Sequence, residues 1–181
     1  MEDTSIQSNN SIETTDSNSS DNGVRLVLLG SRKTGLFKML FCVCLFTEKE
    51  IVFAHFSSKK QKEIIKEEQA RIKAEGKGFF KGTLELMKAT NKYAQRYYTI
   101  PLNEVLQEDP NNFTVTTNNV EKIIFQKPNF VDYDDSSSKN PGKLTIKVSG
   151  QKYKITHDYS DNNKSIKNTL LGLFGNKFKY R

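Results

Sequence analysis

Residues 143–158, KLTIKVSGQKYKITHD, alternate apolar and polar side chains on both sides of a Ser-Gly dipeptide. Alternation with a period of two is typical of a strand with one buried face, and Ser-Gly suits a two-residue hairpin turn. With that turn, Lys147 faces Lys152 and Leu144 faces Ile155, so every cross-strand pair shares a face. The pattern therefore predicts an antiparallel hairpin with one side on a core and a lysine-rich side in water.

The lysine-rich side of this hairpin raises the question of a ligand. Two lysines directly opposite each other are mildly unfavourable unless an anion or a carboxylate lies between them. We therefore place an anion-binding hypothesis on Lys143, Lys147, Lys152 and Lys154. The alternative is that these lysines form a solvated face that protects the sheet from strand-to-strand aggregation.

Three short apolar runs open the folded part of the chain, at 24–29, 37–46 and 51–56. Runs of this length between polar turn residues predict three consecutive antiparallel strands. The second run is apolar on both alternating faces over much of its length, so we expect a strand covered on both sides. Cys42 and Cys44 are two residues apart and should lie on the same face of it.

The middle of the chain has a helix-forming composition. Residues 58–97 are rich in Lys, Glu, Gln and Ala and predict two helices, with a break at the glycines that begin at Gly76 and a second helix from about 83 to 97. A short helical turn follows at 102–109.

The last third of the chain returns to strands and ends in a helix. Strand-like segments lie within 111–127, whereas 128–142 has turn and loop chemistry throughout. One helical face then collects four apolar residues, with Gly175 placed to cap the helix. These four residues are Ile166, Leu170, Leu173 and Phe174.

Charge divides the chain into two parts. Residues 1–22 hold five carboxylates and no Lys or Arg, so the net charge of +7 becomes +12 for residues 23–181 once that −5 is set aside. We expect the polar, acidic segment 1–22 to be a disordered tail and 23–181 to be the folded domain. A basic domain favours anionic partners such as a phospholipid surface, nucleic acid or an acidic protein, although the charge also confers solubility.

The candidate phosphate-binding, metal-binding and catalytic motifs are all incomplete. GSRKTG at 30–35 lacks the P-loop order, because its Lys-Thr pair precedes the second glycine. A Cys-X-Cys metal pair is one interpretation of Cys42 and Cys44, but no further ligand cluster completes it. His55 and His157 have no partner at catalytic spacing. We therefore expect neither an enzyme nor a cofactor.

The cysteine content and the hydropathy indicate a compartment. Two cysteines separated by one residue exclude a disulfide framework and fit a reducing environment. The longest apolar run, 36–46, is about half of what a membrane-spanning helix needs. We expect a cytoplasmic protein that can also act at the membrane periphery.

Three stretches carry a family resemblance: LFTEKEIVFAH at 45–55, NNFTVTTNNVEKIIFQK at 111–127, and GKLTIKVSGQKYKI at 142–155 followed by a helix ending in LGLFGNKF. Together they resemble prokaryotic pleckstrin-homology-like (PH-like) domains. The resemblance implies an α+β, mainly β fold, a PH-like barrel or sandwich of about seven antiparallel strands closed by a C-terminal helix. The segment of about 57–110 would then be a helical insertion after the third strand.

The resemblance also suggests a function class. Phosphoinositide-binding PH-like domains place basic residues around the first hairpin loop, where this chain has Arg32 and Lys33. The leading interpretation is a non-catalytic binding or adaptor module that engages a protein partner or an anionic membrane surface.

The insertion supplies a second candidate surface. Phe79 and Phe80, flanked by lysines, are candidate interface residues, with the alternative that they dock the insertion onto its own domain. Nucleic-acid binding and self-assembly into a scaffold are the other function classes that the basic composition leaves open.

Overall fold

A computed structural model describes residues 22–33, 39–76, 89, 92–133, 136–157 and 163–181. Among the described residues more lie in strands than in helices. The strands are β1 (Leu26–Lys33), β2 (Met39–Phe46), β3 (Glu50–Phe56), β4 (Phe113–Thr116), β5 (Val120–Gln126), β6 (Asn129–Tyr133), β7 (Ser136–Asn140), β8 (Gly142–Val148), β9 (Gln151–His157) and β10 (Phe178–Tyr180). The α-helices are α1 (Ser58–Ala74), α2 (Leu102–Gln107) and α3 (Asn163–Phe174), with short 3-10 turns at Arg96–Tyr98, Thr117–Asn119 and Gly175–Lys177. The predicted α+β class, mainly β, is confirmed.

Eight strands form one mixed sheet in the order β10-β5-β8-β9-β1-β2-β3-β4, and β6 and β7 form a separate two-stranded sheet. All pairs are antiparallel except β10 with β5, which is parallel. β4 and β10 are therefore the two edges, and the sheet is not closed. The main sheet has eight strands where about seven antiparallel strands were expected, because the chain after α3 pairs with β5 and adds β10. A strand of three residues is too short to be recognised from its sequence.

The predicted hairpin is confirmed in register. β8 pairs with β9 so that Lys147 faces Lys152 and Leu144 faces Ile155. Ser149 and Gly150 both have positive φ, 48° and 81°. Positive φ at both central residues is what a two-residue turn needs if its twist is to match the strands it joins.

The segment 128–142 was predicted as loop, and this was wrong for most of its length. β6 and β7 pair along five residues each, from Asn129 opposite Asn140 to Tyr133 opposite Ser136. A strand ladder is made by backbone N–H and C=O groups, so a polar, turn-like composition does not exclude it. The sequence signal was absent because the segment lacks the apolar alternation by which half-buried strands are recognised.

One apolar core, the inner core, lies between the two parts of the main sheet and α3. It joins residues of β1, β2 and β3 to residues of β5, β8 and β9. α3 contributes Ile166, Leu170 and Phe174, with Leu173 packed at the margin, so the predicted helical face is confirmed. Gly175 follows the helix with φ of +51°, the conformation of a helix C-terminal cap.

A second cluster, the outer core, covers the other face of β1–β3. It consists of Val24, Val27, Val43, Leu45, Val52, Ala54, Ala94, Tyr97 and Val105. β2 is thus buried on both faces, as its continuous apolar run predicts. Cys42 and Cys44 both belong to the inner core, which confirms that they share a face.

The helical segment lies after β3, as predicted, and its first helix ends close to the expected glycine. α1 runs from an N-cap at Ser57, whose hydroxyl accepts from Lys60 N at 3.1 Å, to Ala74. Gly76 follows with φ of +63°. Of the predicted second helix, Ala89 and residues 92–95 are helical, and residues 96 and 97 belong to the 3-10 turn Arg96–Tyr98. The rest lies outside the described residues, as do Phe79 and Phe80.

The N-terminal tail predicted for 1–22 lies outside the described residues up to position 21. Asn22 is held on the insertion, where its amide Nδ2 donates to Tyr97 O at 2.9 Å and to Ile100 O at 2.6 Å. No helix within the described ranges is both long enough and apolar enough to cross a membrane.

Candidate anion-binding face

The outer face of β5, β8 and β9 is rich in lysine. On each of these strands the inward positions are apolar and buried or half-buried, such as Ile123, Ile146 and Ile155, while the alternate positions point away from the inner core. We call the outward lysines of this region the lysine face. They are Lys33, Lys122, Lys143, Lys147, Lys152, Lys154 and Lys179.

Cross-strand register brings three of these lysines into one row. Lys122 of β5 faces Lys147 of β8, which in turn faces Lys152 of β9. Directly opposed residues on neighbouring strands have Cβ atoms about 5 Å apart, so like charges in such a row repel. We therefore expect an acidic group beside this row that reduces the repulsion among the three ammonium groups.

Glu121 is the acidic residue that offsets part of the positive charge of this row. The pairing of β5 with β8 shifts register between Val120 and Lys122, which leaves Glu121 as the extra residue of a β-bulge. Its carboxylate forms an ion pair with Lys147 Nζ and accepts a hydrogen bond from Gly150 N at 2.7 Å. The contact with Lys147, and to a smaller extent the hydrogen bond from Gly150, holds the pKa of Glu121 below its ordinary value. The acidic neighbour that the facing lysines require is thus part of the chain.

The lysine face extends beyond the hairpin on both sides. β1 pairs with β9 through Ser31 and Thr156, and the same register continued by two residues brings Lys33 beside Lys154. On the other side, Lys179 of β10 faces Ile124 of β5 and is exposed, while its neighbour Phe178 is buried in the inner core. Glu121 is the one acidic residue in the sequences of β5, β8 and β9, which together hold five of the seven lysines.

Arg32, which the sequence resemblance placed with Lys33 in the first hairpin loop, lies on β1 and points to the other face of the sheet. Its guanidinium contacts His55 Nε2 at 3.3 Å and lies 5.6 Å from the ring centroid of Phe113, at the margin of the inner core. The reason is strand alternation, which turns Arg32 inward and its neighbour Lys33 outward. Burial, and then the charge of Arg32, lowers the pKa of His55. Arg32 is therefore part of an inward cluster and not of the lysine face.

The structure adds residues that sequence reasoning missed. Lys122, Lys179 and Glu121 belong to the face, yet each lies at least twenty residues from the hairpin turn at 149–150. The strand VEKIIF was recognised, but its pairing with β8 was not. Its single signal was the alternation of Lys122, Ile124 and Gln126 with the buried Ile123 and Phe125, and the bulge at Glu121 interrupts this alternation.

A second concave region lies between α1, the end of β3 and the segment 93–109. The cleft has a volume of about 360 Å³ and mixed charge. Its polar groups already bind each other: Arg96 pairs with Glu108 and lies over the Tyr93 ring, and Tyr97 Oη donates to Glu108 Oε2 at 2.8 Å. Burial, and then Glu108, raises the pKa of Tyr97. This network holds the insertion together and leaves little unpaired charge for a ligand.

The two cysteines lie side by side on the inner face of β2. Cys42 faces His55 across β2 and β3, but no group of three His, Cys, Asp or Glu side chains within the described ranges could hold a metal ion. The hydrogen bond between the two thiols lowers the pKa of Cys42 and raises that of Cys44, and burial adds to the increase at Cys44.

Comparison of the chain with protein-family models, with curated proteins and with solved structures finds no match.

Proposed function

We propose that this chain is a non-catalytic binding module of the PH-like kind that engages an anionic surface, on a membrane or on a protein partner, through the lysine face. The observation that carries the proposal is the concentration of outward lysines on one side of a rigid sheet with one carboxylate among them. A polybasic surface gains about 1 kcal/mol per Lys or Arg near an anionic lipid surface.

Strand order supports the PH-like part of the proposal. When β6, β7 and the short β10 are set aside, seven antiparallel strands remain, with β1–β4 on one side and β5, β8 and β9 on the other. α3 follows the last of them and packs on the core that the two groups share. This is the element order that the sequence resemblance implies, with the helices of the insertion between β3 and β4.

The two other function classes receive less support from the lysine face. Single-stranded nucleic acids are bound on aromatic stacking platforms, and the outward positions of β5, β8 and β9 hold lysine, threonine, isoleucine and glutamine. Self-assembly would use the free edges at β4 and β10, and a measurement of solution mass tests it directly.

The test compares two double variants with the same change in charge. Lys152→Glu/Lys154→Glu alters the lysine face, and Lys62→Glu/Lys164→Glu alters exposed lysines of α1 and α3. Binding of the full chain to phosphatidylserine-containing vesicles and to heparin is measured for each. We expect the face variant to lose at least about tenfold in affinity for any probe that the wild type binds. Equal losses in both variants, or no wild-type binding to either probe, would overturn the proposal.

A further inference from the structure

Phe41 is the exposed aromatic residue next to the lysine face. It is 43% exposed, although it lies on β2, whose outward residues Val43 and Leu45 are completely buried under the insertion. The described residues of the insertion therefore leave Phe41 partly uncovered. Leaving a large aromatic ring in water on an otherwise covered strand has a cost, which is recovered when the ring enters an apolar phase.

Register fixes how Phe41 lies relative to the lysines. Phe41 faces Ser31 of β1, Ser31 faces Thr156 of β9, and Thr156 faces Lys143 of β8. With strands about 4.8 Å apart, the ring is about 14 Å from the β8 end of this row. Lys33 is the next outward residue of β1 after Ser31, and it faces Met39 of β2. The aromatic ring thus stands at the margin of the positive face, on the same side of the sheet.

The chemistry of this surface distinguishes among anionic partners. Lysine carries a compact charge on a flexible side chain, which suits mobile phosphate groups. Phosphates and carboxylates in a fixed position are commonly bound by the planar guanidinium of arginine through two hydrogen bonds. The outward positions of β5, β8 and β9 contain no arginine and no aromatic residue. Positive charge next to a single exposed aromatic ring is instead the combination by which proteins adsorb to the headgroup region of a bilayer.

We propose that the partner of the lysine face is a bilayer rich in anionic phospholipid, and that Phe41 enters the interface between headgroups and acyl chains. This inference rests on the proposed function and narrows it to one partner. The lysines supply long-range attraction that salt screens, and Phe41 supplies a short-range apolar contact that salt does not screen. A soluble polyanion without an apolar phase, such as heparin, does not offer the second contact.

A tryptophan reporter tests the position of the ring. The chain has no Trp, so Phe41→Trp introduces a single tryptophan, which can be excited selectively over the seven tyrosines. Leu171→Trp is the matched control, because Leu171 is 49% exposed but lies on α3. With phosphatidylcholine/phosphatidylserine vesicles we expect a blue shift and quenching by brominated lipid at position 41 and neither at position 171. Vesicle binding without a change at position 41, or with equal changes at both positions, would overturn the inference.

Affinity gives a second and independent readout. We expect Phe41→Ala to weaken binding to anionic vesicles about fivefold and to leave heparin binding unchanged, whereas Leu171→Ala changes neither. If the wild type binds heparin or a random RNA through the lysine face but does not bind vesicles, this inference fails and the proposed function of an anionic-surface module stands. If Lys152→Glu/Lys154→Glu affects no probe, both fail.

Discussion

The two parts of the main sheet share one inner core but differ on their outer faces. β1–β3, the covered half, carries the insertion, which buries Val43, Leu45 and Val52 completely. β5, β8 and β9, the open half, presents lysines to water at the equivalent outward positions. The same sheet is therefore two layers deep at one end and one layer deep at the other. The difference shows which surface remains available to a partner.

The sequences of individual strands show this difference in burial of the outer face. β2 reads MLFCVCLF, apolar on both alternating faces, whereas β8 reads GKLTIKV, apolar on one face only. A strand buried on both sides needs apolar residues at consecutive positions, and a strand with a wet face needs them at alternate positions. The free face of the molecule could thus be assigned before the cover itself was located.

The largest effect should come from placing one charge at matched positions of the two halves. Val43→Lys puts an unpaired ammonium group beneath the insertion, where the native side chain is completely buried. We expect it to reduce the free energy of unfolding by about 3–5 kcal/mol. Thr145→Lys, on the outer face of β8, should change it by less than about 1 kcal/mol. Urea denaturation followed by circular dichroism measures both.

The same pair of variants can contradict the distinction between the covered half and the open half. If Thr145→Lys destabilises the protein as much as Val43→Lys, then the outer face of the open half is also covered. If both are tolerated, the insertion is not held on β1–β3 in solution.

The junction of the two halves should show the next largest effect. At Gly30, where β1 passes β9, an added Cβ would lie 2.3 Å from Ile155 Cγ2 and 2.6 Å from Thr156 O. Gly30→Ala must push the two strands apart, so we expect a loss of about 1–3 kcal/mol. Gly172→Ala, on α3 with nothing within 4 Å, is the control and should stabilise the protein by about 0.5–1 kcal/mol. Thermal denaturation of both variants gives the comparison, and unchanged stability of Gly30→Ala would mean that the halves are not in close contact there.

Local patterns predicted much of the fold because they depend on neighbours in sequence. The hairpin register, the two-sided burial of β2 and the apolar face of α3 all follow from periodicity within about fifteen residues. β6, β7 and β10 were missed for the complementary reason. They are defined by backbone pairing or by a distant partner strand, and neither leaves a periodic apolar signal.

The candidate site was only half predictable for a similar reason. The four hairpin lysines share a face by alternation alone, and the structure keeps them together. The bulge at Glu121 and the addition of Lys179 depend on which strands become neighbours of β8 and β5. Arg32 and Lys33 are neighbours in sequence but lie on opposite faces of the sheet, because adjacent residues of a strand point in opposite directions.

A smaller effect, on affinity, should follow from removing the carboxylate of the open half. Glu121→Gln frees Lys147 and raises the charge of the lysine face by one. We expect binding to phosphatidylserine vesicles to become about threefold to fivefold tighter at low salt, with the gain fading as salt is added. Glu67→Gln makes the same charge change at an exposed position of α1 and should leave the affinity nearly unchanged. Weaker binding by Glu121→Gln would instead mean that Glu121 positions Lys147 for the ligand.

The smallest effect should appear in the dependence of stability on pH and should belong to the covered half. Burial and Arg32 lower the pKa of His55 from its ordinary 6.5, so the unfolded chain takes up a proton at a pH where the folded chain does not. The free energy of unfolding must then fall as pH drops through 6.5 towards the folded-state pKa, and the contribution of His55 levels off below it. His55→Gln should flatten the profile between pH 7.5 and 5, measured by urea denaturation. Lys33→Gln, on the opposite face of β1, should keep the wild-type slope. An unaltered slope in His55→Gln would assign the pH dependence to another group and would mean that folding does not lower the pKa of His55.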